Sequence, residues 1–232
     1  MIPSLLHGAR VGLALSARRL LRRRALAALG LGAALVLTSA LIEVSVTSAA
    51  AVDRALTATF RLVIPLVTFA LAAEASDRDH LRDAAWPAAR FGLGRGAVAL
   101  GLTAASLLAT AAAGALLAVI AVIAAHTPAA PPLARDALTS AWIGALAGAA
   151  YGGWYALGGT FLRRGQGRLA PLLADLFLGG STGLLGALLP RGNALNLIGG
   201  PAPLHLAQPS SAWILAATAL ALALAAALRA RD

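Results

Sequence analysis

The sequence predicts an all-α, polytopic membrane protein, one domain over residues 1–232 with six transmembrane helices, on three observations. Six apolar runs begin at Ala25, Leu56, Gly96, Ala137, Leu169 and Ala212, and each has the roughly 20 residues that a helix needs to cross a hydrocarbon core about 30 Å thick. Hydrophobic residues make up 59% of the chain and charged residues 12%, which leaves no stretch for a separate soluble domain. Strands of alternating polarity that would close a barrel are missing from the sequence, so each span must satisfy its backbone internally as a helix.

All 19 basic residues are arginine, and the net charge is +10. In a soluble chain that charge would suggest nucleic acid; here it reports orientation, and no nucleic-acid partner is expected. Arg10, Arg18, Arg19, Arg22, Arg23 and Arg24 precede span one, Arg78, Arg82, Arg90 and Arg95 lie between spans two and three, Arg163, Arg164 and Arg168 join spans four and five, and Arg229 and Arg231 follow span six. Only Arg54, Arg61, Arg135 and Arg191 fall on the other side. The positive-inside rule therefore puts both termini in the cytoplasm and the chain in the cell's inner (cytoplasmic) membrane.

The absence of cysteine removes disulfides, thiolate catalysis and cysteine metal sites. The start mimics a secretory signal, with arginines, an apolar run from Ala25 to Leu37 and small residues at Thr38, Ser39 and Ala40. It is read as retained structure. Residues 1–24 are too polar to cross and predict an interfacial helix, with Leu5, Leu6, Leu13, Leu20 and Leu21 on lipid and the Arg18–Arg24 cluster among anionic headgroups.

Span one runs from Ala25 to about Val46 and span two from about Leu56 to Ala73, joined by a short outer turn carrying Glu43, Asp53 and Arg54. Arg61 and Pro65 fall in the outer part of span two; Arg61 either snorkels or lines a pathway. Residues 74–95 form the one substantial hydrophilic segment, with Glu74, Asp77, Arg78, Asp79, His80, Arg82 and Asp83 ahead of Trp86-Pro87-Ala88-Ala89-Arg90. Mixed signs give register and specificity against another protein, which the positive-inside rule alone would not require. A cytoplasmic docking helix is expected there.

Span three, Gly96 to Ala125, must tilt or project, because about 45 Å of helix exceeds the bilayer core. Span four carries Gly144, Gly148 and Gly152 at four-residue spacing, and Gly179 and Gly183 repeat it in span five. Small residues at that interval let helix backbones approach, here within the chain or between two copies. The outer loop, residues 190–209, is broken by Pro190, Gly199, Gly200, Pro201, Pro203 and Pro209 around an apolar segment. Trp142 and Trp213 fall near outer helix ends, as an aromatic belt places them.

No Walker loop, dinucleotide fingerprint, HExxH or nucleophile elbow is present, so no catalytic residue, metal ligand or cofactor is assigned to this chain and it is not expected to be an enzyme. His7, His80, His126 and His205 are scattered. Asp175 is the sole carboxylate well inside a span, either paired with Arg163, Arg164 or Arg168 or placed in a pathway.

An interfacial N-terminal helix, a short outer turn after span one, a charged segment after span two and a broken outer loop before span six together resemble the membrane subunit of type 2 ABC exporters. That family commonly ends span two with an acid, follows it with Gly-Thr, and enters span three through Pro-x-x-Arg and a glycine. Glu74, Pro87-Ala88-Ala89-Arg90 and Gly94 or Gly96 match, while residues 76–81 lack the Gly-Thr. The resemblance implies a permease whose coupling segment, with Glu74, Asp77, Arg78, Asp79, Arg82, Pro87 and Arg90, seats in a separate ATPase subunit. That partner would hold ATP and magnesium, and a second permease copy or paralogue would complete the translocation path. Two other classes fit a small, glycine-rich, six-span chain: the substrate-binding membrane component of a small-molecule uptake system, and a non-transport scaffold subunit.

Overall fold

A computed structural model describes residues 2–46, 50–128 and 130–231, with side chains from Leu5 onward. The described residues form helices and no strands. They are α1 (Ile2–Leu20), α2 (Arg23–Val46), α3 (Ala51–Ala58), a π-helical turn (Thr59–Val63) leading into α4 (Ile64–Ala75), α5 (Leu81–Ala89), α6 (Arg95–Ala125) and α7 (Leu133–Gly158). A 3-10 turn (Arg163–Arg168) follows, then α8 (Leu169–Leu178), α9 (Leu184–Leu188), α10 (Pro190–Leu197), a 3-10 turn (Pro203–His205) and α11 (Gln208–Arg229).

Four helices are long and apolar enough to cross a membrane: α2, the continuous Ala51–Ala75 unit, α6 and α11. They mark a membrane protein. α7 has the length, 26 residues or about 39 Å, but its glycines, Ser140, Tyr151, Tyr155 and two tryptophans dilute its apolar character.

The expected fifth crossing is not one helix. α8 has 10 residues, about 15 Å, and stops at Gly179 and Gly180; Gly183 and Leu189 are extended, and Pro190 restarts the chain as α10. A residue before proline is driven out of the helical region, and proline suits the first helical position. The apolar run therefore folds into two short helices, α8 and α9, with α10 following in the expected outer loop, and Gly179 and Gly183 are breaks between helices rather than a packing ridge. Side-chain amides close the irregular segment. Asn193 Nδ2 donates to the carbonyls of Ala187 (2.7 Å) and Leu189 (3.1 Å), and Asn196 Nδ2 donates to Leu206 O and Ser211 Oγ, both at 2.9 Å.

Two further boundaries move. The second span begins at Ala51, so Asp53 and Arg54 belong to α3 and Glu43 to α2 rather than to a turn; Arg54 still reaches Glu43 at 3.9 Å. Residues 47–49 lie outside the described residues. Helix α2 begins at Arg23, so the polar N-terminal helix ends at Leu20, before the last arginines of its cluster.

Close backbone packing builds the bundle. A Cβ at Gly144 would fall on the Gly114 carbonyl, one at Gly148 on the Thr110 carbonyl, and one at Gly152 on Thr110 Oγ1, so the ridge of α7 lies directly on α6 as small-residue packing requires. α1 crosses α6 in the same way: a Cβ at Gly12 would strike Val98 O and one at Gly101 would strike Ala9 O. Along α1, Leu5, Leu6 and Leu13 remain exposed, whereas Leu20 packs on the core. The main core runs through α2–α4, α6 and α7, with Phe60, Ile64, Leu117, Tyr151 and Tyr155 as its largest buried side chains.

One end of the bundle gathers the ends of α1, α4 and α7 around α5, and the Arg231 stem lies across Gly96 at the start of α6. Since α7 and α11 both finish at this end, residues 169–207 must return the chain to the other. The three short helices make that return.

Candidate functional site

Helix α5 is a docked helix rather than a solvated loop. Leu81, Ala84, Ala85 and Ala88 are buried against Val98, Ala99 and Leu102 of α6, Ala156 of α7 and Ala226 of α11. The opposite face exposes Arg82, Asp83, Trp86, Pro87 and Arg90. Burying Leu81 alone contributes about 2 kcal/mol.

Polar pins hold the helix. The His80 side chain caps it, accepting from Arg82 N at 3.2 Å, and its Nε2 donates to Thr160 O at 2.9 Å, so the ring bears its proton on Nε2. Leu81 N donates to Gly159 O at 3.0 Å. Both acceptors are carbonyls just past α7, where a helix end leaves them free. Arg168, 3% exposed, donates through Nη2 to Ser76 Oγ at 2.5 Å and Asp79 O at 2.9 Å, and through Nη1 to Gly165 O at 3.4 Å. Burial pushes its guanidinium down to about 10 against the opposing pull of Asp79, which leaves it a cation at neutral pH. Arg19 of α1 donates to Ala75 O (3.4 Å) and Ala84 O (3.5 Å) and lies 3.8 Å from Asp77. Burial lowers its affinity for the proton, opposed by Asp77.

The turn before α5 is left-handed at Asp77 (φ 57°) and Arg78 (φ 62°). It separates the sequence-assigned coupling residues into two groups. Glu74 is buried and accepts from Arg78 Nε at 2.6 Å, and Asp77 accepts from Arg22 at 2.5 Å. Glu74, Asp77 and Arg78 thus close the turn, while Arg82, Pro87 and Arg90 face outward with Asp83 and Trp86. Asp79 is exposed and lends its carbonyl to Arg168.

Beside that outward face lies an open cleft of about 810 Å³. Arg82 and Trp86 come from α5, Arg95 from the start of α6, and Arg163 and Arg164 from the 3-10 turn after α7; His80, Asp83 and Leu162 complete it. Arg95 stacks on the Trp86 ring at 4.4 Å, a cation–π contact that leaves its charge available. Leu162 (φ 61°) and Arg164 (φ 53°) are left-handed, a conformation that costs non-glycine residues energy and recurs at functional surfaces. Four guanidiniums and one carboxylate give the cleft a positive field.

The two residues that the sequence offered as pathway candidates, Asp175 and Arg61, are separate. Asp175, 1% exposed, accepts from Tyr151 OH at 2.7 Å and from Arg191 N at 3.1 Å, the latter an amide in the first turn of α10. It pairs with none of Arg163, Arg164 and Arg168. Tyr151 stacks on Tyr155 at 5.9 Å, and Tyr155 OH donates to Pro65 O at 3.1 Å. Arg61 lies in the π-helical turn just ahead of Pro65, exposed and with no hydrogen bond or ion pair among the described residues. Proline removes the amide that would meet the Arg61 carbonyl and crowds it, which accounts for the widened turn.

Sequence reading placed His80 and Arg95 in the charged segment 74–95 without giving either a role, and it did not assign Arg163, Arg164 or Arg168 to this site. The last three come beside α5 only in space, and no linear pattern carries that. Among the described residues no group of three histidine or carboxylate side chains converges as metal ligands would. Comparison with protein-family models, curated proteins and solved structures gives no match.

Proposed function

We propose that this chain is the membrane-spanning permease subunit of an ABC transporter, with α5 as the coupling helix that seats in a separate ATPase subunit. One observation carries the reading: the helix between the second and third apolar crossings is fixed by Arg19, His80 and Arg168 yet presents Arg82, Asp83, Trp86 and Arg90 outward beside an arginine-lined cleft. A helix that only linked two spans would not need three polar anchors, two of them buried arginines, whereas force transmitted from a partner does need a rigid attachment.

In this reading the α5 end faces the cytoplasm, both termini lie there, and α1 rests at the headgroup level of the inner membrane. α7 is the fourth crossing, α8–α10 carry the chain back as the fifth, and α11 is the sixth. A second copy or paralogue completes the translocation path, and closure of the ATPases rocks the two membrane halves through α5. ATP and magnesium belong to the partner.

The test is co-purification of the ATPase with tagged chain carrying Arg82→Glu, Asp83→Arg and Arg90→Glu. These residues are exposed and outside the anchors, so the chain should reach the membrane in unchanged yield and lose the ATPase. Undiminished co-purification removes the coupling assignment.

A further inference from the structure

A second groove, about 620 Å³, opens where α6 begins and α11 ends. Its walls are apolar, with Leu100 from α6 and Leu224 and Leu228 from α11; its mouth holds Arg95 and Arg231. Gly96 makes the second arginine's position available, because a Cβ there would collide with the Arg231 stem. No acidic side chain is among the described residues that line it, and neither arginine forms an ion pair among the described residues.

Both walls belong to helices long and apolar enough to cross a bilayer, and Leu224 and Leu228 are exposed. An occupant must therefore be apolar along the helix axis and anionic at the helix ends. The geometry points to a single anionic phospholipid, its phosphate between Arg95 and Arg231 and the start of one acyl chain along Leu100, Leu224 and Leu228. A soluble anion would leave the apolar walls unmatched, and a zwitterionic lipid would bring its own cation to two guanidiniums. The lipid also touches the residue that stacks on Trp86 of α5, so it would brace the docked helix from the membrane side. This site rests on membrane insertion and not on the identity of any ATPase.

Native mass spectrometry of detergent-purified chain, offered equimolar dioleoyl phosphatidylglycerol and dioleoyl phosphatidylcholine, tests it. Wild type should keep one phosphatidylglycerol in preference, and Arg95→Gln with Arg231→Gln should weaken that preference by about tenfold or more, from loss of two charges at the headgroup. Leu228→Trp, which fills the groove and keeps both arginines, should also reduce it. Arg54→Gln with Arg135→Gln removes the same charge at exposed positions outside the groove and should leave the adduct intact. Equal retention of both lipids, displacement by excess inorganic phosphate, or equal loss in the Arg54 and Arg135 variant would overturn the assignment, as would undiminished retention in the Arg95 and Arg231 variant.

Discussion

Arg168 Nη2 meets the Ser76 hydroxyl at 2.5 Å across 92 positions of sequence and the Asp79 carbonyl at 2.9 Å. The 3-10 turn after α7 is thereby locked to the turn that launches α5. Because Arg168 is buried, its removal takes the donor from both acceptors and leaves the Ser76 hydroxyl only its bonds to the Ala72 and Ala73 carbonyls. Arg168→Met is expected to destabilise the fold by about 3 kcal/mol, and Arg168→Lys to recover little, since an ammonium cannot reproduce the planar fork. Thermal unfolding in detergent measures the first effect; protease cutting between Asp79 and Arg90 should accelerate in both variants.

The same residue sets a pH expectation. A base whose folded-state pKa falls below its ordinary value to about 10 binds fewer protons folded than unfolded only at about pH 10 and above. Its contribution to stability therefore rises with pH there, and is constant below. The stability difference between wild type and Arg168→Met should be flat from pH 6 to pH 9, and a slope across that range would show that the guanidinium is not in the environment described.

Gly148 meets the backbone of α6 at Thr110, and Gly30 on α2 has nothing within 4 Å of an added Cβ. Gly148→Leu should force the two helices apart and cost on the order of 3 kcal/mol or prevent folding, whereas Gly30→Leu should be neutral to slightly stabilising. Equal effects in an unfolding assay would mean that the ridge does not pack inside the chain.

Asp175 and Tyr151 should be energetically coupled. Tyr151→Phe removes one of two donors to the carboxylate and should cost about 1 to 2 kcal/mol. Asp175→Leu leaves the Tyr151 hydroxyl and the Arg191 amide without their acceptor and should cost more. In the double variant the losses should fall short of additive by at least about 0.5 kcal/mol; strict additivity would break the pairing.

Hydropathy made α2 and α6 legible to within two residues and α11 to within about a turn at its start, because each is a long apolar run with arginines at one end. The fifth apolar run was not, since Leu169 to Leu189 is apolar apart from Asp175, Ser181 and Thr182, and only Gly179, Gly180 and the Leu189-Pro190 step carry the break. That the charged segment after span two holds a helix, α5, was legible in the sequence. Its anchors were not: His80 and Arg168 find their partners about 80 to 90 positions away, and a lone arginine after a short loop reads the same whether it is solvated or buried. Glu74 was legible as an acid at a span end, but burial and the left-handed turn gave it to Arg78 instead of to the outward face.

The chain has no cysteine, so a single Asp83→Cys on the outward face of α5 gives a clean reporter for the side of the membrane on which this helix docks. Treated with a membrane-impermeant maleimide, intact cells should leave that thiol unmodified, and permeabilised cells should modify it fully. Modification in intact cells would place α5 outside, beyond the reach of any ATPase, and would contradict the permease reading.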